Sequence, residues 1–258
     1  MSDILTRIAM NKRIEVDDLK IERPFDSIRI EPQPDAAFPF RNALAGDSIN
    51  IIAELKKGSP SRGVLKEDFD VKAMARQYRD GGAAALSVLT DRKFFYGRPE
   101  YMAEAKQATE LPILCKEFIL DRWQLHFARR MKADAVLLIA ALLAEPVLKE
   151  FIEEGESIGL DCLVEAHNEA EVEAAVSAGA RVIGVNNRNL KTFEVSLEVS
   201  EILARLIPEH CIKVAESGIF AHDDISRLQQ AGYNCFLIGE SLVTSHNPPA
   251  LLRRLRGV

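Results

Sequence analysis

The chain has 258 residues, of which 47% are apolar, and its 33 Lys and Arg against 39 Asp and Glu give a net charge of -6. This length and apolar content suit one large globular core, whereas the acidic balance argues against a nucleic-acid surface, which needs basic stripes to neutralise phosphates. Because no apolar run approaches the roughly 18 residues of a membrane span and the polar start MSDILTRIAMNKR lacks the apolar centre of a signal peptide, we expect a cytoplasmic protein that contacts neither membrane nor nucleic acid.

The first 45 residues differ in pattern from the rest of the chain. They contain a helical segment, ILTRIAMNKRIEV, then a stretch with four prolines, then a short segment, FRNAL. This region is too short to bury a core of its own. We therefore predict a single domain over residues 1–258, with residues 1–45 as an N-terminal helical extension packed on it.

From residue 51 onward, short runs rich in Val, Ile, Leu and Ala alternate with segments of helical periodicity. Strands that are apolar throughout indicate burial on both faces, as in a parallel sheet covered by helices. Eight such units match an α/β fold of the (β/α)8 TIM barrel type, which typically takes about 250 residues. An open doubly wound sheet is the alternative, although the first strand lacks the G-x-G-x-x-G fingerprint of its dinucleotide-binding form. The predicted strands cover 51–55, 84–89, 112–118, 135–140, 162–166, 181–186, 212–217 and 235–240.

Charged side chains end six of these eight runs. A charge in an apolar strand is costly unless it is paired or lies in a functional cavity. In this fold the active site lies at the carboxyl ends of the strands, so their repetition there favours a shared site over separate salt bridges. Glu54 and Lys56 are two residues apart and face the same side of the first strand. The other strand-end residues are Ser87, Thr90, Lys116, Glu117, Glu165, Asn186, Asn187, Arg188, Glu216, Ser217, Gly239, Glu240 and Ser241.

Three short segments suit an anion. They are Ser59 in GSPS and the triplets at 216–218 and 239–241, which follow the seventh and eighth strands. Loops after these two strands commonly bind phosphate through backbone N–H groups. Metal ligands are not indicated, because the four cysteines and five histidines are scattered without ligand spacing. The cysteines are predicted to be buried, reduced thiols.

Eight motifs occur in this order along the chain: AELKKGSPSRG, SVLTD with FF and YG after it, PILCKEFILDRWQ, ADAVLLIAALL, LVEAHN, IGVNNRNL, VAESGI and FLIGESLV. Together they resemble, in order, the blocks of the indole-3-glycerol phosphate synthase family. The resemblance spans nearly the whole chain. It implies a carboxy-lyase of tryptophan biosynthesis that closes the ring of 1-(2-carboxyphenylamino)-1-deoxyribulose 5-phosphate, removes CO2 and loses water. No cofactor and no metal are implied.

The resemblance also implies roles for particular residues. Lys116 resembles the general acid for ring closure, and Lys56 the residue that holds the substrate carboxylate, with a second role as proton donor in dehydration. Glu165 is similar to the general base or intermediate stabiliser, and Glu54 to a partner that orients the lysines. The implied substrate-binding residues are Asn186, Arg188, Glu216 and Ser217, and the implied phosphate-binding residues are Ser59, Gly218 and Gly239. The chain departs from the family's common pattern at Glu117, often Asp, and at Gly58, commonly Ala.

Three other functions are alternatives. A Schiff-base aldolase would use Lys116 or Lys213 as its nucleophile. A phosphoribosylanthranilate isomerase would centre on a Cys and Asp pair, whereas these strand ends carry lysines and glutamates. A barrel that had lost catalysis should show gaps among the charged positions, and the sequence shows none. The expected binding partner is the small phosphorylated substrate. We also expect the chain to associate with other tryptophan-pathway enzymes.

Overall fold

The computed structural model describes residues 4–189 and 192–258. Eight parallel strands pair in sequence order, and the eighth pairs with the first, so the sheet is a closed barrel. This confirms the predicted (β/α)8 architecture and excludes the open sheet. The barrel strands are β1 Asn50–Leu55, β2 Ala85–Leu89, β3 Ile113–Lys116, β4 Ala135–Ile139, β5 Asp161–Ala166, β6 Val182–Asn186, β7 Ile212–Glu216 and β8 Cys235–Ile238.

The apolar strand pattern follows from two different surroundings. In β1, Ile52 belongs to the cluster inside the barrel, whereas Ile51, Ala53 and Leu55 belong to the layer between strands and helices. Successive side chains of a strand face opposite sides, and both sides are dry along most of each strand. Inward positions near the carboxyl ends of the strands are open to a cavity, and in β1 that position is Glu54.

Helices follow the strands and cover the barrel. Several begin at a side-chain cap, such as Asp70, whose carboxylate accepts from the Ala73 N–H. Five of the described helices end two residues before a glycine of positive φ, namely Gly82, Gly159, Gly179, Gly232 and Gly257, as the glycine stop signals predict. The helices are α1 Ile4–Glu22, α2 Phe25–Ile28, α3 Pro39–Leu44, α4 Val71–Asp80, α5 Arg92–Phe95, α6 Glu100–Ala108, α7 Arg122–Arg130, α8 Glu145–Ser157, α9 Glu169–Ser177, α10 Glu198–Leu203, α11 His222–Gln230, α12 Glu240–Val243 and α13 Pro248–Leu255, with short 3-10 turns at Ala140–Leu142 and Ala204–Leu206. A small hairpin pairs Gly58–Ser59 with Gly63–Val64.

The short helix α3 closes the amino-terminal end of the barrel. Phe40 and Leu44 are fully buried in the same cluster as the inward side chains of the strands. The backbone N–H of Arg41 donates to Asp161 at the start of β5, at 2.9 Å. Burial raises the pKa of the Asp161 carboxyl to about 6, against the opposing effect of Arg41. Solvent therefore reaches the barrel interior from the opposite, carboxyl end, where the charged strand ends lie.

The N-terminal extension contacts the barrel through several hydrogen bonds. The Trp123 indole on α7 donates to the carbonyl oxygen of Arg23 at 2.8 Å, and the Ile30 N–H donates to His126 Nδ1 at 2.9 Å. These contacts support the proposed single domain. Among the described residues, none of the helices has the length and apolar content needed to cross a membrane.

Candidate active site

One cavity opens at the carboxyl ends of the strands, and every site residue predicted from the sequence lines it. The strands bring these residues together although they are spread over nearly 190 positions of the chain, because each stands at or just after the last inward position of its strand. The predicted residues lining the cavity are Glu54, Lys56, Ser59, Lys116, Glu165, Asn186, Arg188, Glu216, Ser217, Gly218 and Gly239.

Lys116 forms the centre of the charged group. Its ammonium donates to Glu216 Oε2 at 2.6 Å and to Glu165 Oε2 at 2.9 Å. The Asn186 amide donates to the other Glu165 oxygen, Oε1, at 3.3 Å. Strands β3, β5, β6 and β7 thus each contribute one side chain to a single hydrogen-bonded cluster, and all the pairs in it are removed from bulk water.

The charge states of this cluster follow from burial and from neighbouring charges. Burial alone would lower the pKa of Lys116, but the Glu165, Glu216 and Glu54 carboxylates outweigh it and raise that pKa, so the ammonium stays charged. Burial would raise the pKa of Glu165, yet Lys116 and His167 hold it well below its usual range. For Glu216, burial prevails over Lys116 and, with repulsion from Glu165, raises the pKa to about 7. The two carboxyls on Lys116 are therefore not equivalent.

A second ion pair lies beside the first. The Lys56 ammonium is 2.7 Å from Glu54 Oε1, and the two side chains are 17% and 6% exposed. Gly239, after β8, leaves the space they occupy, because a Cβ there would collide with the Glu54 carboxylate and approach the Lys56 ammonium. Gly239 thus has a steric role that the sequence did not reveal, besides its predicted place in the phosphate region.

The loops after β6 and β8 form the polar rim. The Arg188 N–H donates to the Asn186 side chain at 3.0 Å, and the Arg188 guanidinium lies 3.6 Å from Glu240. Arg62, in the turn of the hairpin, approaches the same carboxylate at 3.4 Å. Two cations from the loops after β1 and β6 therefore meet at Glu240, a contact that local sequence patterns do not indicate.

The predicted anion-binding segments lie together on this rim. Ser217 and Gly218 have φ angles of 65° and 79°, and a left-handed Ser is uncommon. This turn presents the backbone after β7 toward the cavity. Ser59 reaches it from the hairpin after β1, where Gly58 is required because a Cβ would collide with the Gly63 carbonyl oxygen and the Tyr96 ring. The departure from the common Ala at position 58 thus has a local steric reason.

The cavity also has apolar walls that the site prediction omitted. Phe95 and Phe118 face each other with ring centroids 5.9 Å apart, and Ile4, Leu5 and Ile8 of α1 line the same space. The FF pair after SVLTD was the available sequence signal for the aromatic wall. The contribution of α1 had no local signal.

Some strand-end residues face elsewhere. Asn187 is buried outside the cavity, where its side chain accepts from the Ser200 N–H and hydroxyl and donates to the Ser217 carbonyl oxygen. Thr90 lies outside the cavity lining and donates to Glu117, which does line the cavity and pairs with Lys12 of α1 at 3.1 Å. Lys213, the other candidate Schiff-base lysine, donates to the Ala204 carbonyl oxygen and lies outside the cavity lining. In the part of the chain that the structure describes, no group of three or more His, Cys, Asp or Glu side chains could hold a metal ion.

Comparison with known proteins agrees with this geometry. The family model described as indole-3-glycerol phosphate synthase matches residues 5–255. The chain belongs to this family. The indole-3-glycerol phosphate synthase of Endomicrobium trichonymphae is 44% identical over 98% of this chain and 99% of that protein, and that of Aromatoleum aromaticum is 43% identical over the full length of both.

Membership of the indole-3-glycerol phosphate synthase family makes this chain a decarboxylating lyase of tryptophan biosynthesis. Solved structures of lower identity share the fold alone. Thiamine phosphate pyrophosphorylase from Pyrococcus furiosus has a TM-score of 0.62 at 15% identity, covering 82% of this chain and 95% of that one. The 3-hexulose-6-phosphate synthase of Salmonella typhimurium has a TM-score of 0.65 at 11% identity, covering 81% and 97%.

Proposed function

We propose that the cavity at the barrel mouth converts 1-(2-carboxyphenylamino)-1-deoxyribulose 5-phosphate into indole-3-glycerol phosphate by the following division of roles. The observation that carries the proposal is a charged lysine, Lys116, held between two buried glutamates beside a second lysine and glutamate pair. An acid, a carboxylate-binding cation and a base are the groups that this reaction needs within one water-poor space.

Lys116 is the general acid of ring closure. The new carbon–carbon bond joins the ring carbon that bears the carboxylate to the ketone carbon of the sugar chain, and the ketone oxygen takes a proton from the Lys116 ammonium. Its two glutamate partners accept hydrogen bonds from the ammonium and hold it in place until the ketone arrives. Loss of CO2 then returns the electron pair of the breaking bond to the ring and restores aromaticity.

Lys56 binds the carboxylate that leaves as CO2, and later donates a proton to the departing hydroxyl group in dehydration. Glu54, 2.7 Å from it, orients the ammonium. Glu165 is the general base. As water is lost, it takes a proton from the methylene carbon beside the nitrogen in the newly closed five-membered ring. Its low pKa keeps it ionised at neutral pH, which a base requires before it can accept a proton.

The remaining predicted residues bind the substrate. Asn186, Arg188, Glu216 and Ser217 contact the polyol and carboxylate region. The phosphate binds at Ser59, Gly218 and Gly239, where turns after β1, β7 and β8 meet and Arg62 and Arg188 are near. Backbone N–H groups and arginines are the usual ligands of a phosphate. The aromatic ring of the substrate packs on Phe95 and Phe118.

The decisive experiment replaces the acid. Lys116→Met should lower kcat by about 10²–10⁴, the usual contribution of a general acid, in an assay that follows indole fluorescence without added metal or nucleotide. Lys213→Met is the matched control, because Lys213 is a strand lysine outside the cavity. Unchanged turnover in Lys116→Met would refute the assigned mechanism. A borohydride-trapped substrate adduct would instead support the Schiff-base alternative.

A cytoplasmic location and association with other tryptophan-pathway enzymes complete the proposal. All four cysteines are free and buried, which suits a reducing compartment. Fractionation of cells would test the location. Co-purification of pathway enzymes with the tagged chain would test association, and its absence at physiological concentrations would remove that part.

A further inference from the structure

His167 lies in the loop after β5, two residues beyond Glu165, and contacts two carboxylates. Its Nε2 is 3.3 Å from Glu165 Oε1, and its Nδ1 is 3.0 Å from Glu171 Oε2 on α9. Glu171 Oε2 also accepts the His167 backbone N–H at 2.8 Å, while Glu171 Oε1 accepts from the Asn168 amide. The imidazole is thus fixed between an outer and an inner glutamate, and it stands outside the lining of the cavity.

The protonation state of this imidazole follows from its partners. The Nδ1 of His167 bonds to Glu171, whereas the buried Nε2 makes no hydrogen bond and lies 3.3 Å from the Glu165 carboxylate. A bare lone pair on Nε2 would repel that anion, and a proton there attracts it, so the ring is an imidazolium. Burial would lower the pKa of His167, but Glu165 and Glu171 raise it to about 10.

His126 provides a contrast within the same chain. It is also buried and also lies 2.9 Å from a glutamate, Glu154. Its other nitrogen, Nδ1, accepts the Ile30 N–H at 2.9 Å and so carries no proton. The second carboxylate therefore distinguishes the two histidines, and it makes His167 a fixed cation.

That cation acts on one of the two carboxyls that share Lys116. Glu165 accepts hydrogen bonds from Lys116 and Asn186 and lies 3.3 Å from His167 Nε2, and a further neighbour is the Glu216 carboxyl. Glu216 faces Lys116 and Glu165, and its Oε1 is buried without a hydrogen-bond partner. A proton at that oxygen would turn it into a donor. The asymmetry thus places negative charge on Glu165 and a proton on Glu216.

We propose that His167 is a positioning residue, a fixed cation that keeps Glu165 ionised and aligned, so that the proton shared by the two carboxyls resides on Glu216. Glu171 holds the imidazole in place and supplies its second acceptor. The inference rests on the proposed function only in taking Glu165 as the reactive base. The charge assignment itself is independent of any reaction.

The first experiment measures the imidazole directly. In the full-length protein labelled with ¹⁵N in its histidines, the ring nitrogens of His167 should show the imidazolium pattern from about pH 5 to pH 9, assigned by loss of the signals in His167→Gln and, independently, by their shift in Glu171→Gln. His126, whose Nδ1 accepts the Ile30 N–H, should show one protonated and one unprotonated nitrogen. A neutral His167 ring at pH 7 would overturn the proposal, whatever the enzyme's activity.

The second experiment is the pH profile of kcat/KM. An opposite charge within about 4–6 Å lowers a carboxyl pKa by about 1–3 units, so His167→Gln should move the acid limb upward by about one unit or more. Glu171→Gln should move it in the same direction by less, and it serves as a second probe if His167→Gln folds poorly. His126→Gln, which removes a buried imidazole outside the cavity, should leave the profile in place.

A merely structural role would lower kcat/KM equally at all pH values, and that result would overturn the proposal. The wild-type enzyme in the same assay separates the two claims. If wild type forms no indole product, the proposed function fails while the imidazolium measurement stands. If wild type is active and the acid limb does not move in either variant, the role of His167 fails and the proposed function stands.

Discussion

Replacement of Lys12 by Met tests how the N-terminal helix is held on the barrel. Lys12 is 2% exposed, and its ammonium lies 3.1 Å from Asp91, 3.1 Å from Glu117 and 2.9 Å from Glu15. The first two carboxylates are in the loops after β2 and β3. One side chain of α1 therefore neutralises two strand-end loops that border the cavity.

The magnitude follows from the partners that would remain. In the part of the chain described by the structure, no other cation lies within 4.0 Å of Asp91 or Glu117. Asp91 is fully buried, and its Oδ2 has no hydrogen-bond partner. Loss of one member of a buried ion pair typically costs about 3–5 kcal/mol, because the remaining charge is uncompensated. We expect Lys12→Met to lower the free energy of unfolding by about that amount at pH 8.

The cost should depend on pH in a defined direction. Burial already raises the pKa of Glu117, while Lys12 opposes that effect. Without Lys12 the pKa rises further, so the variant takes up a proton that the wild-type protein does not hold. The native variant then binds more protons than the unfolded chain at acidic pH, and the loss of stability should shrink as the pH falls from 8 toward 5.

Urea denaturation of Lys12→Met and Lys20→Met provides the assay. Lys20 is on the same helix and lies 2.7 Å from Asp121, but those side chains are 38% and 30% exposed, and such a pair is worth about 0–1 kcal/mol. Because Ile4, Leu5 and Ile8 line the cavity, Lys12→Met should also raise KM. Equal losses of stability in the two variants, or a loss in Lys12→Met that does not change with pH, would refute the reasoning from buried charge.

Three further predictions follow from the site. Gly239→Ala should lower kcat/KM at least about tenfold with a normal circular dichroism spectrum, because its Cβ displaces the Glu54 and Lys56 pair; unaltered kinetics would show that this space is not critical. The pKa of Glu216 is raised to about 7, so the wild-type protein should lose stability relative to Glu216→Gln as the pH rises from about 5 to 7. The loss is at most about 1.4 kcal/mol per pH unit. A difference in the free energy of unfolding between the two proteins that stays constant over this range in urea denaturation would contradict that pKa. Added salt should lower kcat/KM while kcat stays the same, since it screens the attraction of an anionic substrate; a salt-independent kcat/KM would remove electrostatic steering.

The sequence predicted the fold because each strand repeats the same local pattern. All eight predicted strands lie within one or two residues of the observed ones, and the largest difference is instructive. The run at 112–118 was predicted as one strand, whereas β3 ends at Lys116. Glu117 lies just beyond the sheet, and its carboxylate pairs with Lys12, about a hundred residues earlier in the chain. Local periodicity carries no information about that distant partner.

Which predicted residues line the candidate site follows from local signals, and how they pair does not. Lys116 and Glu165 each stand at the end of an apolar run, which is a local signal. That Lys116 donates to two glutamates, and that His167 supports only one of them, depends on strand register and loop geometry across the barrel. The contribution of α1 was also not predictable, since Lys12 lies in the polar run NKR and such a run is usually solvated.

The pairings explain how an acidic protein can hold an acidic substrate. Around the cavity, Lys56, Lys116 and Arg188 face Glu54, Glu165 and Glu216, while the two other glutamates of the lining, Glu117 and Glu240, have further cations beside them, Lys12 and Arg62. If all six were ionised, their charges would cancel, and the cavity would attract the substrate carboxylate and phosphate only weakly. With the proton on Glu216 these six groups carry a net positive charge, and in a cleft the nearby charges matter more than the total of the protein. In the proposed mechanism, the asymmetry that keeps Glu165 ionised as the base therefore also makes the cavity attractive to the anionic substrate.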